Sequence, residues 1–224
     1  MTVAEAVATL VDANHILARE GVVDAYGHVS VRHPDRPDRF FLSCSRSPAI
    51  VAPADIMEFT LDGTAIDAQG RTPYLERFIH GEIYKARPDV HSVGHNHSYA
   101  VIPFSVSKTR LMPIFHIGAR IGRSVPVWDI RDRFGDTNLL VTSQAIGRDL
   151  TTTRGANTAL LMRGHGAVVT GNSIQDAVLS AIYLQVNAQL QMQAMMLGEV
   201  TYLNEGEIDV GMQETRTRIG ADRA

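Results

Sequence analysis

His95 and His97 stand two residues apart in Pro88-Asp-Val-His-Ser-Val-Gly-His-Asn-His-Ser98, a short segment that reads as a buried strand. Side chains at i and i+2 of a strand share a face, so two imidazoles placed this way can grip one divalent ion. The pair constrains the fold, because its strand must lie inside and a third ligand must reach it from another element. His165, in Leu160-Leu-Met-Arg-Gly-His-Gly-Ala-Val-Val169, is the candidate, since it also falls in an apolar strand where a polar ring needs a reason. Glu76 opens a helix just upstream. Three neutral imidazoles and a carboxylate make a divalent-metal set with an open position. The other histidines serve as controls: His15 and His80 on helices beside charged residues, His33 in a turn and His91 at a strand start all read as solvated surface positions.

Composition narrows the classes. With 224 residues, 45% hydrophobic and 20% charged, the chain suits a single domain over residues 1–224 with a sizeable core. A net charge of −3 argues against a nucleic-acid groove, which needs clustered Lys and Arg. No apolar run is long enough to cross a bilayer, and the N-terminus lacks the basic-then-apolar order of a signal peptide, so no membrane partner and a cytoplasmic location are expected. Cys44 is the one cysteine, which excludes an internal disulfide and a thiolate-rich zinc site. A metal here is held by nitrogen and oxygen.

The pattern along the chain alternates helix and strand. Residues 3–20 carry an apolar stripe behind Thr2 and Glu5, a capping box, and stop at Gly21. Strands are read from Gly27 to Ser43, with a hairpin turn at Asp62-Gly63. Thr72-Pro73 predicts a helix start, placing Glu76 in the first turn of a helix that ends near Pro88. Further strands are predicted at 138–142 and 158–169, a short helix after Gly147, and a long helix from Ser173 to about Leu197. The tail from Gly206 is polar and is expected to be loosely held. This order implies a layered α/β fold.

The chain resembles the class II aldolase/adducin family over nearly its whole length. The residues that carry the likeness are Gly27-His-Val-Ser-Val-Arg32, Glu76, Arg87-Pro-Asp89, His95-Asn-His97 and Arg163-Gly-His165-Gly166. The resemblance implies an α/β/α sandwich around a mixed, largely antiparallel sheet. It also implies zinc or manganese bound by His95, His97 and His165, with Glu76 as the catalytic acid and base. A homotetramer with active sites at subunit boundaries is expected on the same ground.

The chain departs from the family's sugar-phosphate aldolases where those hold their phosphate. Tyr74 and Leu75 replace a pair of serines, His28 replaces an asparagine, and Ser43-Cys-Ser-Arg-Ser-Pro48 stands where an aldolase offers Thr-Gly. Ile117 follows His116 where the aldolases place a proton-donating tyrosine. His28 and Arg46 are donors suited to a carboxylate, and Tyr74 with Leu75 suits the flank of an aromatic ring. The expected substrate site is therefore His28, Ser45, Arg46, Ser47 and Tyr74. The pattern is similar to the family's decarboxylases of ortho-hydroxy aromatic or pyridine dicarboxylates, such as dihydroxyphthalate or 3-hydroxy-2-methylpyridine-4,5-dicarboxylate. Decarboxylation and retro-aldol cleavage both leave an electron pair on carbon, so metal stabilisation of an enolate serves either. Rival readings are a sugar-phosphate aldolase, epimerase or dehydratase, and an adducin-like assembly protein without catalysis.

Overall fold

The computed structural model describes residues 1–222. Its strands are β1 (His28–Arg32), β2 (Arg39–Ser43), β3 (Ile56–Thr60), β4 (Ser92–Asn96), β5 (Val127–Trp128), β6 (Ala159–Met162) and β7 (Gly166–Gly171). The helices are α1 (Val3–Arg19), α2 (Arg77–Ala86), α3 (Ile102–Val106), α4 (Arg131–Phe134), α5 (Gln144–Arg154), α6 (Ile174–Leu197) and α7 (Glu205–Asp222). The strands form one sheet in the order β3-β2-β1-β4-β7-β6-β5, antiparallel throughout except for the parallel pair β5 and β6.

The two-residue period of the strands sorts their side chains into two cores. Val29, Val31, Phe41, Leu161 and Val169 pack with α1 and α6 on one face. Phe40, Leu42, Val93, Leu160 and Val168 pack with α2 and α5 on the other. This is the α/β/α sandwich expected, with a mixed and largely antiparallel sheet. Helices α2 and α5 approach closely because Gly147 faces α2: a Cβ there would lie 2.6 Å from the Phe78 carbonyl oxygen.

Four expectations are corrected. The helix predicted from Thr72-Pro73 begins only at Arg77, because residues 72–74 run beside the segment just past β2, with Pro73 bridging Cys44 and the Ser45 N–H donating to the Thr72 carbonyl, and residues 75–76 turn. Residues 138–142 join no strand, and Leu139 takes a positive φ of 66°. The single strand read over 158–169 is a hairpin, β6 and β7, broken by Gly164 at φ 64°. His165 therefore sits in a turn. Finally, the tail is helical: α7 buries Ile208, and Arg123 ties it down through Glu205 and Asp209. No helix among the described residues is long and apolar enough to cross a membrane.

Helix α6 holds the extended segment 110–114 with buried amides. Asn187 donates to the Met112 carbonyl at 2.8 Å and accepts from the Ile114 N–H at 3.1 Å, while Gln191 does the same for Arg110 and Met112. These side chains replace a neighbouring strand for backbone groups that the sheet does not reach. Asn187→Leu strips two of those partners and is expected to lower stability by about 2–4 kcal/mol in urea unfolding.

Candidate metal centre

The site forms where β1, β4 and β7 meet the start of α2. His95 lies on β4 facing α2, His97 stands just past the strand's end, His165 projects from the β6–β7 turn, and Glu76 is the residue before the first turn of α2. One donor atom from each lies within 4.8 Å of the others. The His97 Nε2 is 3.1 Å from the Nε2 of both His95 and His165.

The tautomers follow from what each ring touches on its other nitrogen. His95 Nδ1 faces the Ala167 carbonyl at 3.1 Å and His165 Nδ1 faces the Leu139 carbonyl at 2.9 Å. His97 Nδ1 lies 3.1 Å from both oxygens of Asp24. Carbonyl and carboxylate oxygens only accept, so each Nδ1 carries the hydrogen and each Nε2 offers a lone pair. Lone pairs brought together in this way, His97 at 3.1 Å from each of the other two, repel one another unless a cation stands among them. The donor set thus fits a divalent metal, with the second nitrogens held in the manner that orients metal-bound histidines.

Glu76 is buried, and its Oε1 accepts the Val141 N–H at 2.8 Å. Its Oε2 lies 3.4 Å from the Nε2 of both His95 and His165. Burial pushes this carboxyl up, but a proton on His95 or His165, in the place of positive charge that a bound cation would take, outweighs burial and holds it well below the usual carboxylate range. Glu76 is a carboxylate at neutral pH. The same contact raises His165 against its burial, whereas burial prevails at His95 and lowers it.

The expected substrate residues form a row leading away from His95. His28 pairs with His95 across β1 and β4, and the two rings are 5.1 Å apart. Tyr74 packs 4.4 Å from His28, and its hydroxyl donates a short bond to the Arg46 carbonyl, pinning the loop of Ser45, Arg46 and Ser47. The Arg46 guanidinium meets Asp55 at 3.1 Å and stays half exposed. Ser45 and Ser47 share the loop, but no side-chain contact links them to the histidines.

Four residues were misjudged or missed, and one of them, His33, read as a solvated turn position, is buried against Phe41. His80, read as a surface residue, is fully buried against His28 and Ser30 because α2 is covered by the sheet on one side and α5 on the other. His28 is no cationic donor: burial first, then the neighbouring His80 and His95, keep it well below its ordinary pKa and so neutral. Asp24 passed unnoticed although it also accepts the N–H groups of Tyr26 and Gly27. Its Asx turn was a visible local signal, but nothing in the sequence ties that turn to His97.

Two substitutions test the centre. Asp24→Asn, which weakens the grip on His97, is expected to lower metal affinity about 10–100-fold in chelator competition. His165→Ala is expected to abolish tight binding in elemental analysis, and full metal occupancy in that variant would remove His165 from the set.

Comparison with known proteins places this chain in a family. The model of the class II aldolase and adducin N-terminal domain matches residues 8–192. The decarboxylase tropJ of Talaromyces stipitatus is 35% identical over 213 residues, covering 89% of this chain and 80% of its own. A 3,4-dihydroxyphthalate decarboxylase of Terrabacter sp. is 29% identical over 200 residues, covering 84% and 80%. Among solved structures, an L-fuculose 1-phosphate aldolase from Glaciozyma antarctica aligns with a TM-score of 0.77 at 26% identity, covering 94% of this chain and 81% of that one. An aldolase II superfamily protein from Pseudomonas syringae reaches 0.78 at 21% identity over 95% and 84%, which shows the shared fold. With its matched domain and its decarboxylase relatives, the chain belongs to the class II aldolase and adducin family and is a lyase of that family.

Proposed function

We propose that this protein decarboxylates an ortho-hydroxy aromatic or pyridine dicarboxylate, of the dihydroxyphthalate or 3-hydroxy-2-methylpyridine-4,5-dicarboxylate kind. The observation that carries the reading is the buried carboxyl of Glu76, whose Oε2 stands 3.4 Å from two of three converging histidines. His95, His97 and His165 would hold zinc or manganese. When bound, the ion supplies Lewis acidity that stabilises negative charge developing on a coordinated substrate oxygen.

The chain's own residues do the rest. Glu76 begins as a base, taking the proton of the ring hydroxyl, and then returns that proton to the ring carbon bearing the departing carboxylate. The bond from that carbon to the carboxylate breaks, its electron pair restores the ring, and carbon dioxide leaves. The product phenolate takes its proton from solvent. The Val141 N–H fixes Oε1, so Oε2 is the oxygen that carries the proton. Arg46 and His28 would anchor the second carboxylate, with Ser45 and Ser47 on the same loop, while Tyr74 and the exposed Leu75 flank the ring. The decarboxylase names of the relatives support this choice. A homotetramer with sites at its subunit boundaries completes the reading.

The sugar-phosphate aldolase reading draws on the likeness to L-fuculose 1-phosphate aldolase structures. Against it stands Tyr74, whose ring packs on His28 where a phosphate loop needs small residues. Metal-loaded protein incubated with hydroxylated aromatic and pyridine dicarboxylates is expected to release carbon dioxide, and with L-fuculose or L-ribulose phosphates to release no aldehyde. Glu76→Gln is expected to keep its metal and lose about 10²–10⁴-fold in turnover. Near-normal turnover in that variant would remove Glu76 from the chemistry.

A further inference from the structure

Behind the candidate metal centre, the polar edge of β1 meets α2 in a chain of four buried side chains. His28 Nδ1 lies 2.7 Å from His80 Nε2, His80 Nδ1 lies 2.7 Å from Ser30 Oγ, and Ser30 Oγ lies 2.8 Å from the Tyr84 hydroxyl. All four are at most 1% exposed. The proposed reaction uses only the first of them. Such a buried network costs free energy to assemble unless every member is paired, so its proton order is fixed by counting donors.

The count starts at the inner end. The Tyr84 phenol is the stronger donor of the two hydroxyls, and Ser30 Oγ is the acceptor within its reach. The Ser30 hydrogen then has two destinations, His80 Nδ1 at 2.7 Å and the Val93 carbonyl at 3.4 Å, and the shorter contact takes it. His80 Nδ1 is therefore an acceptor and its hydrogen sits on Nε2, which donates to His28 Nδ1. The remaining hydrogen of His28 lies on its Nε2, on the ring edge away from His80. Burial pushes His80 down to about 3, so His80 stays neutral at neutral pH, and the hydrogen bond it donates occupies His28 Nδ1. The chain also ends blindly at Tyr84, whose phenol burial pushes up, leaving no outlet for a proton. It holds an orientation and conducts nothing.

We propose that Tyr84, Ser30 and His80 are positioning residues that lock His28 in its Nε2–H tautomer, making it a neutral hydrogen-bond donor to an anionic substrate oxygen and barring it from ligating the metal. The bar explains a feature of the centre. His28 is 5.1 Å ring to ring from His95, against 4.9–5.0 Å among the candidate ligand rings, yet it lies outside the converging donor set. A nitrogen that bears hydrogen has no lone pair for a cation. The contact between His28 and substrate rests on the decarboxylase reading; the tautomer does not.

Histidine-selective nitrogen labelling of the full chain, loaded with zinc as a diamagnetic probe, reads the tautomer by proton–nitrogen correlation NMR. The His28 pattern is assigned by its loss in His28→Asn. Wild type is expected to show a pyrrole-type nitrogen at Nε2 and a pyridine-type nitrogen at Nδ1. The reverse pattern, or an averaged one, overturns the proposal without any variant. In His80→Phe and in the milder Tyr84→Phe the two His28 nitrogens are expected to move toward averaged shifts, and an unchanged pattern in either folded variant overturns the lock. In kinetics, His80→Phe is expected to raise KM about tenfold, the worth of one hydrogen bond to a charged group, with metal content unchanged. In the His28→Asn background the same change is expected to add nothing further, and an additive loss would show that His80 acts elsewhere. If wild type decarboxylates no aromatic acid while the NMR pattern holds, the decarboxylase reading falls and the lock stands.

Discussion

The structure around the candidate site depends on one constraint: three imidazoles must present lone pairs to the same point. Free histidine rings swing and exchange tautomers, so each has to be held from behind. The Ala167 carbonyl holds His95, and it is available because β4 and β7 pair with Asn96 opposite Ala167. The Leu139 carbonyl holds His165 from a segment that joins no strand, and Leu139 itself takes a positive φ. Asp24 holds His97 from the loop before β1. Sheet register, hairpin turn and loop strain all serve one electrostatic requirement.

The pair His95 and His97 was legible because strand geometry alone sets two side chains on one face, whatever the rest of the chain does. Helix α1 and helix α6 were legible for a similar reason, since Thr2, Glu5 and Ser173 cap them locally. What escaped depends on contacts distant in sequence. His80 reads as a surface residue because Arg77 and Glu82 flank it, yet Glu82 is itself buried, held by Lys85 and Arg148 between α2 and α5. Polar residues on a helix signal solvent only when nothing packs on that face. The link between Asp24 and His97 spans 73 positions and is set by how the first loop crosses the sheet end, which no local pattern encodes. Gly164, which turns one apparent strand into a hairpin and aims His165, was visible as a glycine but not as a break.

The alternation in β1 shows the same lesson on one strand. Val29 and Val31 against Ser30 and Arg32 is the pattern of a strand with a wet face, yet every residue of β1 is buried. The polar side is satisfied from within: Ser30 by His80 and Tyr84, and Arg32 by the carbonyls of Tyr84, Arg87 and Val90. A sheet covered on both faces can carry such residues only where a helix brings matching groups. The register of α2 over β1 is thereby fixed by hydrogen bonds as well as by packing.

That fixed register ties the protein's core to its chemistry. Helix α2 is preceded directly by Glu76 and carries His80 one turn later, so one rigid element sets both the carboxylate that faces the histidines and the ring that faces His28. The two demand opposite electrostatics. Glu76 must keep a charge while buried, which positive charge among the three histidines allows; His28 and His80 must stay neutral, which burial enforces. A cationic ring beside the histidines would compete with a bound divalent ion for the same anionic oxygens. The full positive charge stands instead at Arg46, beyond Tyr74 and already balanced by Asp55, so that in the proposed reaction the interior would be left to the metal and the far end of a diacid would meet its own anchor.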